Sequence, residues 1–109
     1  MKSDVFKQQL EALSAEYRAT LPGKLARVDA LWQGLSSGEA DAGASADLLR
    51  ELHTLAGSAK TFGLAAVSST ARTAEVFFEP FCAAGAIGPV ADRETFSSLL
   101  DALRQSVAG

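Results

Sequence analysis

Apolar residues recur along the chain at intervals of three and four, the spacing that gathers them on one face of an α-helix. Phe6, Leu10, Leu13 and Tyr17 open the pattern, and Leu25, Val28, Leu31, Trp32 and Leu35 continue it. The segment from Ser3 to Leu35 therefore reads as one or two helices, with Ser3 or Asp4 able to cap its start. Pro22 either kinks a single helix or opens a second one at its first position, where its missing N–H costs nothing; Thr20 would then be the second cap. Ser36–Ser45, SSGEADAGAS, is polar and glycine-rich and reads as a loop. A helix then begins near Ser45, with Asp47 in the first turn as the macrodipole prefers, and runs to about Phe62, where Gly63 is a natural stop. The next helix starts around Ala65 with AAVSSTARTAEVFF, and Pro80 should end or kink it. AAGAIGPV is a second loop. Asp92 can cap a last helix whose Phe96, Leu99, Leu100 and Leu103 face inward. Short connections favour antiparallel neighbours. The predicted fold class is all-α: an antiparallel four-helix bundle with an additional N-terminal helix, formed by one domain over residues 1–109.

Composition narrows the function classes more than it names one. The chain is 48% hydrophobic, and its alanine and leucine content favours helix over strand. A net charge of −3 gives no basic field to attract nucleic acid. The apolar runs are too short to cross a membrane, and Met1–Leu10 lacks the apolar core of a signal peptide. Cys82 is the single cysteine, so it has no internal disulfide partner and no clustered metal ligands. The expectation is a soluble cytoplasmic protein with no metal site. No Ser-His-Asp arrangement, paired-histidine metal motif or phosphate-cradling glycine loop is present.

The chemistry concentrates in ELHTLAGSAKTFGL, Glu51–Leu64, which holds the only histidine of the chain. On a helical wheel Leu48, Leu52, Leu55, Ala59 and Phe62 cluster within about 40° of one line, the core face. His53 lies roughly 140° away, Gly57 about 180° and Lys60 about 120°, so these three share the solvent face. Ala56 falls between core and surface, and Ser58 falls on a flank where it packs or bonds within the bundle. A glycine inside a helix costs about 1 kcal/mol relative to alanine. Gly57 is too early to cap the helix and points away from the core. What remains is clearance: a missing Cβ one turn from an exposed imidazole leaves room for another surface to approach.

At HTLAGSAKTFGL the chain resembles histidine-containing phosphotransfer (HPt) domains of multistep phosphorelays, and the related phosphoacceptor domain of chemotaxis histidine kinases. The family pattern is roughly His-x-Leu-Lys-Gly-Ser with a glycine ten residues after the histidine; His53, Leu55, Gly57, Ser58 and Gly63 match it. LLRELH before the histidine, ARTAE after it and AEYRATLPGKLARVDAL upstream fit the family's helices, so the likeness covers most of the chain. It implies a four-helix bundle that carries a phosphoryl group on an exposed His53, through Nε2. It implies exchange of that group with the aspartate of a response-regulator receiver domain, which brings the Mg²⁺. Other partners would be a sensor or hybrid histidine kinase. The docking surface would comprise Gly57, Ala56 and Leu49. Glu75, 22 residues after His53, stands where family members often place Glu or Gln, and would accept the Nδ1 proton; the alternative is a solvated or Arg72-paired glutamate.

One departure concerns charge. The family usually has lysine three residues after the histidine, and here that residue is Ala56. Lys60 lies two turns along and within about 20° of His53 on the wheel. It is either a partial substitute that reaches back toward the phosphate or a solvated lysine. The function implied is that of a monomeric phosphorelay intermediate, a phosphocarrier with no cofactor of its own and no kinase activity. The alternatives are the phosphoacceptor domain of a chemotaxis-type kinase and a receiver-binding bundle that is not phosphorylated.

Overall fold

The computed structural model describes residues 2–38, 43–84 and 90–108, which form four helices: α1 (Lys2–Ser37), α2 (Ala44–Thr61), α3 (Ala65–Ala84) and α4 (Val90–Ala108). Cross-helix pairs fix their directions. Tyr17 and Arg27 of α1 meet Ser58 and Glu51 of α2. His53 and Ala56 of α2 meet Glu75 and Ser68 of α3. Thr70 and Phe78 of α3 meet Ser106 and Phe96 of α4, and Trp32 of α1 donates to Ser97 of α4 at 3.1 Å. Each pair ascends one helix as it descends the next, so the helices run up, down, up and down.

The apolar faces predicted for α2 and α4 enter the core. Leu48, Leu52, Leu55, Ala59, Phe96, Leu100 and Leu103 are buried, together with Leu21, Val28 and Trp32 of α1 and Val67, Ala71, Ala74 and Phe78 of α3. Leu25, Leu31, Leu35 and Leu99 pack partly against this cluster. Phe78 stacks on Phe96 with ring centroids 4.8 Å apart, and Trp32 meets Phe96 edge-on at 4.8 Å. Arg104 of α4 pairs with Asp101 one turn away and with Asp29 of α1. The hydrogen bond with Asp101, and then the charges of both aspartates, hold its guanidinium above the ordinary arginine pKa against the opposing pull of burial.

The additional N-terminal helix is not a separate element: the described residues hold four helices, and α1 passes through Pro22 unbroken. Pro80 likewise lies inside α3 rather than ending it. An interior proline costs about 3 kcal/mol, because it removes an N–H and crowds the carbonyl four residues back. Here Pro22 and Arg18 are exposed, as are Pro80 and Val76, so water can serve the orphaned carbonyls. Packing on either side of each proline then keeps the helix continuous through it. Thr20 is consequently interior, its hydroxyl donating to the Tyr17 carbonyl at 2.6 Å, and not a cap. Asp4 and Asp92 sit in the first turns of α1 and α4 rather than at caps.

The N-terminal part of α1 extends past the bundle, and the whole molecule is 57 Å in its longest dimension and about 22 Å across. Val5, Phe6, Leu10 and Leu13 are about half exposed there, and only from Tyr17 onward does the stripe meet the rest of the fold. The predicted loops at 36–45 and 83–90 are shorter than read. Their middles, 39–42 and 85–89, lie outside the described residues.

Candidate functional site between the second and third helices

The turn between α2 and α3 sets the site. Gly63 takes φ +77, the left-handed region that side chains disfavour. Its N–H reaches the Lys60 carbonyl at 3.1 Å and the Leu64 N–H reaches the Ala59 carbonyl at 2.8 Å, a Schellman closure. This reverses the chain within three residues and brings α3 back along α2 with residue 75 beside residue 53. The Ser68 hydroxyl donates to the Ala56 carbonyl at 2.8 Å and fixes the same register one turn nearer the turn.

His53 stands on the outer face of α2, its side chain 68% exposed, with Nδ1 2.6 Å from Oε2 of Glu75. A carboxylate only accepts, so Nδ1 is the donor in this contact, and in the neutral ring Nε2 is the nitrogen left with a lone pair. Glu75 is the one buried charged residue among those described. Its second oxygen, Oε1, accepts from Nη1 of Arg72 at 3.0 Å. Both oxygens of a nearly buried carboxylate are therefore occupied, as its burial requires. Glu75 is therefore neither fully solvated nor paired with Arg72 alone: its carboxylate contacts Arg72 and His53 together.

An open groove runs beside the ring between α2 and α3. His53, Gly57, Lys60, Ser69 and Arg72 line it, with Ala56 at its floor. Ala56 is more buried than its wheel position suggests, at 7% exposure, because α3 leans over it. A Cβ built on Gly57 would meet nothing within 4 Å, so no contact inside the molecule requires glycine there. Lys60 is exposed and makes no ion pair among the described residues. Leu49, one turn before His53, is half-buried against the core and does not line the groove. Ser58 bonds within the bundle, to the Tyr17 hydroxyl at 2.6 Å and the Thr54 carbonyl at 2.9 Å. Arg72, which sequence reasoning named only as an alternative partner of Glu75, also lines the groove. Its only signal was its place three residues before Glu75, one turn of the same helix face.

The groove thus presents an outward histidine, oriented at one nitrogen and free at the other, on a helical bundle. The Hpt domain family profile matches residues 4–106. The chain belongs to the Hpt domain family. Hpt domains are phosphocarrier modules of His–Asp phosphorelays and not enzymes in themselves, and they work with receiver domains and kinases. No curated protein and no solved structure matches the chain. Among the described residues no helix is long and apolar enough to cross a membrane, and no cluster of His, Cys, Asp and Glu could hold a metal ion.

Proposed function

We propose that this chain is a phosphorelay intermediate that carries a phosphoryl group on Nε2 of His53 and exchanges it with the aspartate of a receiver domain. The observation that carries the reading is the 2.6 Å contact of Nδ1 with Glu75 on a ring that is otherwise 68% exposed. In the forward step the Nε2 lone pair attacks phosphorus in line as the bond from phosphorus to the aspartate oxygen breaks. The electron pair leaves on that oxygen. Nδ1 keeps its proton, so the ring becomes positively charged, and the Glu75 carboxylate offsets that charge from the far side. The reverse step returns the phosphoryl group by the same path.

Gly57 gives the receiver clearance over the ring, with Ala56 as part of the surface it meets. The receiver supplies Mg²⁺ at its own aspartate. In this reading the chain is a phosphocarrier without kinase activity of its own and works as a monomer. The test is label transfer from a phosphorylated receiver to the wild-type chain and to His53→Gln. Transfer of acid-labile label to wild type alone supports the reading. Equal labelling of His53→Gln refutes it.

A further inference from the structure

We propose that Arg72 is the cationic ligand of the phosphoryl group on His53, an assignment that rests on the reading above. A phosphoryl group on Nε2 brings about two negative charges into the groove. The nearly buried Glu75 carboxylate is already there, and like charges at close range repel strongly where water is partly excluded. A cation between them would relieve this. Ala56, on the groove floor, supplies none. Two cations line the groove, Lys60 and Arg72.

Position favours Arg72. It and His53 hang on the two oxygens of one carboxylate, at 3.0 and 2.6 Å. Because α2 and α3 are antiparallel, with 53 against 75 and 56 against 68, Arg72 lies between the levels of His53 and Ala56. Lys60 is seven residues from His53 along α2, about 10 Å at 1.5 Å per residue. Chemistry favours Arg72 as well. A guanidinium carries five N–H donors in a planar fork suited to phosphoryl oxygens, and only one is engaged by Glu75. The side chain is 62% exposed, so it can reorient at little cost. In the phosphorylated state the guanidinium bridges Glu75 and the phosphoryl oxygens. No bond to Arg72 forms or breaks during transfer, and no proton leaves it.

The experiment measures transfer from a phosphorylated receiver domain of the source organism to purified full-length chain, at low and high salt. Wild type, His53→Gln, Arg72→Ala, Arg72→Lys and the double variant Arg72→Ala/Ala56→Lys are compared, with far-UV circular dichroism to confirm the bundle. Arg72→Ala should be about ten-fold slower at low salt, the size expected for losing a charge-assisted hydrogen bond, and the gap should narrow at high salt. Arg72→Lys should fall between it and wild type. The added lysine at position 56, which restores a cation to the groove without holding Glu75, should recover much of the loss. Arg72→Ala equal to wild type at low salt, while His53→Gln stays unlabelled, overturns the assignment and leaves the acceptor reading intact. A slow Arg72→Ala that neither salt nor Ala56→Lys changes also overturns it, since Arg72 would then act only by positioning Glu75. Wild type that takes no label overturns the acceptor reading itself.

Discussion

Gly57→Ala separates folding from docking more cleanly than any other single change. The glycine sits inside α2 on its exposed face, its φ is not positive, and an added Cβ would meet open space. Nothing in the folded chain therefore opposes alanine. The helix gains by losing less backbone entropy, and the intrinsic difference is about 1 kcal/mol. For a chain of this length that should raise the thermal midpoint by roughly 4 °C. Circular dichroism melts would read the shift. Gly57→Leu should also fold, since its Cβ meets open space and leucine is a good helix former. Its side chain, however, would stand in the space over which a receiver approaches His53. Overfilling a close-packed contact costs about 1–3 kcal/mol, or roughly five-fold to a hundred-fold in receiver binding and transfer. The reasoning fails on its folding side if Gly57→Ala lowers the midpoint. It fails on its docking side if Gly57→Leu binds and transfers as wild type does.

Further outcomes follow from other contacts. Glu75→Ala should slow phosphotransfer while the bundle stays folded, and imidazole ¹⁵N shifts should show a smaller share of the Nδ1–H tautomer; an unchanged tautomer and rate would make Glu75 a bystander. Phe78→Ala empties a site that is 1% exposed and stacked on Phe96, so denaturant unfolding should report a loss of about 3–5 kcal/mol. Deleting residues 1–13 removes a helical extension that lies outside the core, and should move the thermal midpoint by less than about 4 °C. Lys60→Ala should change transfer less than Arg72→Ala does, because Lys60 is farther along the axis and makes no contact with Glu75.

The core face of α2 was legible because its apolar residues fall on one line, and a histidine opposite that line has to be outside. The α2–α3 turn was legible in Gly63, the residue type that the left-handed position needs. Other features depended on what lies across from a residue, which periodicity does not encode. Phe6, Leu10 and Leu13 have helical spacing whether or not another helix covers them, and here they stay about half exposed. Pro22 and Pro80 left a kink or a helix end open because local rules price the lost hydrogen bond and not the hydration of an exposed carbonyl. Glu75 was placed by a resemblance in spacing. Its pairing with Arg72 was open from spacing within one helix, but that the same carboxylate also reaches His53 shows only once α3 is seen to run back along α2.

The account turns on which atom receives the phosphoryl group. The most direct measurement is NMR of the ¹⁵N-histidine-labelled chain after transfer from a phosphorylated receiver, read for phosphorus–nitrogen coupling at the single imidazole. The account predicts one phosphorylated species, at Nε2 of His53, with Nδ1 still protonated and hydrogen-bonded to Glu75. Phosphorylation at Nδ1, or a phosphorylated chain whose His53 ring is unmodified, would contradict it.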